Sequence, residues 1–295
     1  MKPVEPIYLT ELFPKLDLRL IELLNELSTE DWKKPTVCPM WNVKDIAAHL
    51  LDTNFRRLSS LRDNYSGEPA EGIETYQGLV DFLNRLNADW VKAAKRLSPR
   101  ILIDLLEQTG DQVFQVFNSL DPHAPARISV AWAGEDESAN WFDIAREYTE
   151  KWHHQQQIRM AVNRPGIMER EIYFPVLDTF MRALPFTYKD VDAEEGTLLR
   201  FRINGEAGGE WYLLRLGARS SRSHGSHGSN IQSHARWQLL SEAGGPCISE
   251  VTIDQNIAWR LFTKGIDRDE ARQQIVIQGK TELGGKILGM LSVMA

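Results

Sequence analysis

The sequence predicts a two-part chain, a helical bundle over residues 1–165 followed by a smaller α+β domain over residues 166–295. Three observations carry that expectation. Apolar residues recur at helical spacing up to about residue 160, Asn163-Arg164-Pro165-Gly166 breaks the pattern, and the segments beyond alternate apolar and polar residues as strands do. Helices followed by mixed strands is the layout expected when an α+β domain is appended to a helical one.

Taken in order, Leu16, Leu20, Leu23, Leu24 and Leu27 mark one face of a first helix within Leu12–Leu27. A loop with Pro35 and Pro39 ends at Asn42, an N-cap candidate with Asp45 at the third helical position. The helix it opens carries Val43, Ile46, Ala47, Leu50, Leu51, Leu58 and Leu61 on one side. The Gly/Pro/Glu-rich SGEPAEG run separates it from a third helix near Tyr76–Leu97, and Pro99 opens a fourth that runs through Leu120. DPHAPAR and AGEDESAN read as loops, and the latter leads into a helix from Trp141 to about Val162. In the second part a helix is expected over Glu171–Leu184. TLLRFRIN and EWYLLRLG follow as strands joined by a hairpin at Gly205–Gly209. CISEVTID reads as a further strand, DQNIAWRLF and LGGKILGMLSV as helices. The stretch at 219–235, rich in serine, glycine and histidine (His224, His227, His234), has no apolar periodicity and reads as a flexible surface loop.

Charge narrows the partners. With 34 basic and 41 acidic residues the chain carries a net charge of -7, which disfavours nucleic acid and anionic membrane as partners. No run of apolar residues is long enough for a transmembrane helix, and the N-terminus lacks the apolar stretch of a signal peptide, so a cytoplasmic location is expected. Cys38 and Cys247 are far apart and in no CxxC pair; they read as free thiols, and a cysteine-only metal site is ruled out.

The chemistry-bearing residues sit on two of the helices. Glu150 and His154 are four apart, so on a helix they project from neighbouring turns of one face, and His49 supplies a second imidazole from another helix. Two imidazoles and a carboxylate make a three-donor set of the kind that catalytic zinc sites use, leaving one position open. Spacing alone leaves other readings in place. An ExxxH pair also serves as a plain surface ion pair. His153, about 100° around the helix from His154, competes as ligand, although its partner four residues earlier, Thr149, is a poor one. Trp141, Ile144, Ala145, Tyr148 and Trp152 form a stripe nearly opposite Glu150 and His154, which leaves open which face is buried.

The run TVCPMWNVKDIAAHL, Thr36 to Leu50, resembles the signature of the mycothiol-dependent maleylpyruvate isomerase family within the DinB-like four-helix-bundle superfamily. The resemblance rests on Cys38-Pro39, Trp41, Asp45 and Ala48-His49-Leu50, with Glu150 and His154 standing where the family has its later Glu and His. It implies a DinB-like four-helix bundle followed by a smaller sterol-carrier-like α+β domain. It implies a divalent metal, Zn2+ or Ni2+, held by His49, Glu150 and His154, and a low-molecular-weight thiol such as mycothiol as cosubstrate. The expected chemistry is addition of that thiol to an activated small-molecule electrophile, ending in isomerisation or S-transfer. A metal-assisted hydrolase and a non-catalytic metal- or ligand-binding protein are the alternatives. Arg260, in AWRLF, is a candidate for the family's C-terminal catalytic arginine, beside the plainer reading of a solvated helix arginine. Asp45 is weighed between orienting an imidazole and capping the helix, and Cys38, Trp41 and Trp152 are expected to be structural. The chain departs from the family after His154: the family's His is commonly followed by an Arg and an Asp near a His-Arg-Trp-Asp pattern, whereas here Gln155-Gln156-Gln157-Ile158-Arg159 follows.

Overall fold

In the computed structural model, residues 1–69, 72–73, 75–217 and 236–293 are described. The loop expected at 219–235 lies outside the described residues. The chain forms two compact units. One comprises Ile7–Val130 and Asp136–Val176 with Val293; the other comprises Met1–Pro6, Ala131–Glu135 and Leu177–Ser292.

The first unit is helical: α1 (Phe13–Asn25), α2 (Val43–Arg57), α3 (Tyr76–Ala94), α4 (Pro99–Ser119), α5 (Asn140–Ala161) and the start of α6 (Arg170–Met181). α1 packs on α4 and α5, and α2 packs on the same two, so these four close a bundle, with α3 against α2. The leucine stripe of α1 is buried with Ile46, Leu50 and Leu51 of α2 and Leu102 and Leu106 of α4 in one cluster. Each such side chain contributes roughly 1.5–3 kcal/mol of burial. α2 starts as its sequence predicts: Asn42 accepts from the Asp45 backbone N–H (3.0 Å) and the Asp45 carboxylate accepts from the Asn42 N–H (3.2 Å). That reciprocal cap fixes the first turn, and hence the phase at which His49 leaves the helix.

α5 is the least amphipathic-looking helix of the bundle, and it is buried on all sides. Its aromatic stripe packs inside the unit: Trp152 stacks on Tyr173 at 4.3 Å and donates to the Ile167 carbonyl (3.0 Å), and the Tyr148 hydroxyl donates to the Ile172 carbonyl (3.1 Å). On the opposite face His154 is buried and Glu150 half-buried. The choice posed by the sequence, aromatic stripe or polar face inside, is therefore resolved as both. Trp152 is a core aromatic, as expected.

The second unit is built on one six-stranded sheet in the order β1-β4-β3-β2-β5-β6, from β1 (Lys2–Pro3), β2 (Leu198–Asn204), β3 (Gly209–Leu216), β4 (Arg236–Glu242), β5 (Ser249–Asp254) and β6 (Val276–Gly279). β2 pairs in parallel with β5; every other pair is antiparallel. The hairpin expected at Gly205–Gly209 joins β2 and β3. Gly205 there has φ +126°, and a Cβ on Gly208 would lie 2.2 Å from the Ile203 carbonyl oxygen, so glycine is required at both. The sheet is accompanied by α7 (Leu184–Thr187), α8 (Gln255–Phe262), α9 (Arg268–Gln274) and α10 (Thr281–Gly284). Two expectations are corrected. The helix read over Glu171–Leu184 stops at Met181, and the closing LGGKILGMLSV segment forms only the end of α10 and a 3-10 turn over Gly285–Gly289, because its paired glycines do not sustain an α-helix.

Candidate metal centre

α2 and α5 cross with polar side chains facing one another. From α2 comes His49, whose ring centroid lies 4.8 Å from that of His154 on α5, edge to face. Glu150 sits one turn before His154, its Oε2 3.7 Å from His154 Nε2. The indole of Trp41, held by the loop before α2, lies 4.7 Å from the His49 ring and 6.2 Å from the His154 ring. That loop is tightly tied: Thr36 Oγ1 donates to the Trp41 carbonyl (2.8 Å), the Cys38 N–H donates to Thr36 Oγ1 (3.1 Å) and the Trp41 N–H to the Cys38 carbonyl (3.0 Å). Cys38 is a free thiol whose pKa is raised by burial, the opposite of an activated nucleophile, in line with its expected structural role. Trp41, expected to be plain core, is half-buried and forms a wall of the site.

His153 also enters the cluster. Its Nδ1 is 3.0 Å from the Thr149 carbonyl and 3.8 Å from Glu150 Oε2, and its ring lies 4.0 Å from that of His154. One donor atom each from Glu150, His153 and His154 lie within 4.8 Å of one another. The sequence reading tested His153 only against the residue four positions earlier. Its i,i+3 relation to Glu150 is the signal that identifies it.

The electrostatics suit a cation. Burial drives the pKa of His49 well below the ordinary value, that of His154 down to about 3 and that of His153 down to about 4. Burial likewise raises that of Glu150, against the counter-effect of His154. Neutral imidazoles offer lone pairs at pH 7, and a buried carboxyl held up by desolvation gains from a nearby positive ion. The buried Nδ1 of His49 has no hydrogen-bond partner. An N,N,O donor set with an orphaned buried nitrogen fits a divalent metal.

About two turns beyond His49 on α2, Arg57 binds Asp143 and Glu147, which precede Glu150 on α5. Its Nη1 and Nη2 donate to the two Asp143 oxygens (2.8 and 2.9 Å) and its Nε donates to Glu147 Oε2 (2.9 Å). Arg146 adds a second donor to Asp143 (2.6 Å). All three of Arg57, Asp143 and Glu147 are buried, and the two carboxyls, though desolvated, are held below the ordinary range by the arginines. This network locks the crossing that brings His49 to His154.

The remaining candidates have structural partners. Asp45 is the capping carboxylate described above and does not orient an imidazole. Arg260 lies on α8, in the sheet unit, where its Nε donates to the Gly265 carbonyl (3.2 Å) and closes the turn after the helix. The three glutamines after His154 divide their work. Gln155 donates to the Leu16 carbonyl (3.0 Å), Gln156 accepts from the Ile167 N–H (3.0 Å), and Gln157 places Oε1 2.9 Å from His154 Nδ1.

A polar donor cluster on facing helices of a bundle is a recurrent way to build a metal site. Residues 13–159 match the mycothiol maleylpyruvate isomerase N-terminal domain family, and the chain belongs to that family through this domain. Among solved structures, a mutant of the mycothiol-dependent maleylpyruvate isomerase is similar with a TM-score of 0.51 at 9% identity, over 91% of this chain and 91% of that one. A second structure of the mycothiol-dependent maleylpyruvate isomerase has a TM-score of 0.49 at 10% identity, over 85% of this chain and 86% of the other. At such identity the first likeness speaks for the fold. No curated protein matches the chain.

Proposed function

We propose that the chain is a divalent-metal-dependent, thiol-using enzyme, with Zn2+ or Ni2+ held by His49, Glu150 and His154 and a low-molecular-weight thiol such as mycothiol as cosubstrate. The observation that carries this reading is the approach of the His49 ring to the His154 ring across α2 and α5, 4.8 Å between centroids, with the Glu150 carboxylate 3.7 Å from His154 Nε2. Family membership and the solved likeness support the choice of thiol chemistry. A divalent ion in such a site supplies Lewis-acid activation of a bound thiol at neutral pH. The protein's part is positioning. Its buried neutral imidazoles present lone pairs without losing a proton, and Glu150 offsets part of the charge. Trp41 shields the imidazole pair from bulk water, which strengthens every polar interaction beside it. A small electrophile with an activated double bond, attacked by the thiolate and later releasing it, is the substrate class. Water in place of the thiol would make the same site a hydrolase, and turnover without added thiol would favour that alternative.

The test is metal titration of chelator-stripped protein, followed by calorimetry. About one equivalent of Zn2+ or Ni2+ is expected for the parent chain, and loss of high-affinity binding in His49→Ala. Uptake of neither ion by the parent, or undiminished uptake by His49→Ala, would overturn the ligand assignment. Metal bound without thiol-dependent turnover would leave a binding protein.

A further inference from the structure

We infer that Gln157 is a positioning residue for His154, holding its imidazole as the Nδ1–H tautomer and so leaving the Nε2 lone pair free on the side of the ring near Glu150. The inference rests on the metal-binding reading only for its consequence, not for its geometry. Gln157 is buried, lies one turn beyond His154 on α5, and places its amide oxygen 2.9 Å from Nδ1. An amide oxygen only accepts, so the proton of this hydrogen bond belongs to Nδ1. The opposite ring nitrogen, Nε2, is the one 3.7 Å from Glu150 Oε2. A hydrogen bond to one ring nitrogen selects the tautomer and fixes the ring plane, and so decides which lone pair meets an ion.

The neighbouring glutamines sharpen the assignment. Gln155 and Gln156 are equally buried on the same helix, yet they bind the backbone of Leu16 and Ile167. Only the third reaches a site imidazole. The partner is also neutral. A carboxylate at this position would add a second negative charge beside Glu150, whereas the Gln157 amide orients His154 without one. A site whose only anionic protein donor is Glu150 keeps more positive charge on a bound ion, which favours capture of an anionic thiolate.

Two measurements decide the matter. The first uses metal-free parent protein with 15N-labelled histidine and requires no variant. His154 is expected to show a protonated Nδ1 and an unprotonated Nε2; the opposite tautomer, or a fast-exchanging mixture, overturns the inference even in a protein that binds no metal. The second is competition titration of Zn2+ against a chromophoric chelator. Gln157→Leu is expected to weaken binding by about 10- to 100-fold, Gln157→Glu to retain it, and Gln155→Leu to leave it unchanged. Equal losses in Gln155→Leu and Gln157→Leu would show a packing effect and overturn the inference. Should Gln157→Leu fail to fold, Gln157→Glu carries the test, since a carboxylate accepts from the same Nδ1–H; loss of the Nδ1–H tautomer in that variant would count against it. A parent that takes up no Zn2+ but shows the expected tautomer would overturn the metal reading and leave this assignment standing.

Discussion

At the scale of single residues, the site's chemistry is set by desolvation more than by pairing. The site histidines are buried, and for His154 the desolvation outweighs the pull of the Glu150 carboxylate 3.7 Å away, so neutral imidazole is the stable form well below pH 6. Metal uptake by the folded protein therefore has little proton competition from the imidazoles. As pH falls from 7.5, Zn2+ affinity is expected to show no step from the imidazoles and to fall as Glu150, whose pKa is raised by burial, takes up a proton. Competition titrations across that range check this; a steep loss beginning near the ordinary histidine value would show that the imidazoles are solvated. His49, Glu150 and His154 were legible as candidates because ligand residue types at i,i+4 spacing are a visible pattern. His153 stood only as a competing ligand and Gln157 only as part of the Gln155–Gln157 run, since their roles depend on i,i+3 contacts and ring orientation that a helical wheel does not convey.

At the scale of elements, the crossing of α2 and α5 is what turns a sequence pattern into a site. The Asn42–Asp45 cap sets the phase of α2, and the Arg57 network with Asp143 and Glu147 sets its register against α5. α1 packs on α5 and in turn on α4. Lys151 binds both oxygens of Asp17 (2.7 and 2.9 Å), and a Cβ on Gly110 of α4 would lie 2.8 Å from Asp17 Oδ2. Because that carboxylate is held by a buried lysine, it cannot swing aside. Gly110→Ala is expected to destabilise the bundle by about 1–3 kcal/mol despite the better helix propensity of alanine. Urea unfolding at pH 7 measures it, and a neutral or stabilising effect would show that α1 and α4 have room to part. The cap was readable from residues 42 and 45 alone. The Arg57–Asp143 pair, 86 residues apart, was not, because nothing local links the two positions.

At the scale of the whole molecule, the same burial makes the metal-free chain acid-sensitive. Site histidines with depressed folded pKa values are neutral in the folded state, while their unfolded counterparts protonate below about 6.5. The unfolded state then binds up to three more protons, so stability falls as pH drops below that value; Glu150, raised in the fold, offsets up to one. Asp143 and Glu147 are depressed in the fold, so their contribution is present above about pH 4.5 and is lost as pH falls through the lower folded values. Stability of chelator-treated protein is expected to decline from about pH 6.5, by no more than roughly 4 kcal/mol per pH unit, with a second loss below pH 4. Urea midpoints measured from pH 8 to 3.5 test the curve; a flat profile between pH 6.5 and 5 would show that the imidazoles are not buried neutral groups. No helix among the described residues is long and apolar enough to cross a membrane.

What the sequence by itself determined was the local: helix starts at caps and prolines, the β2–β3 hairpin at its glycines, and a pool of ligand-type residues on two helices. These follow from backbone sterics and side-chain spacing, which operate over a few residues. Only the tertiary structure decided that α5 is buried on all sides, that His49 meets His154, and that each of three successive glutamines has a different partner. It also showed the short edge strands β1 and β6, and β4 between β1 and β3, whose pairing comes from other chain segments rather than from their own pattern. Those outcomes depend on which helix faces which and at what rotation, and the long-range packing that fixes this leaves no periodic mark in the chain.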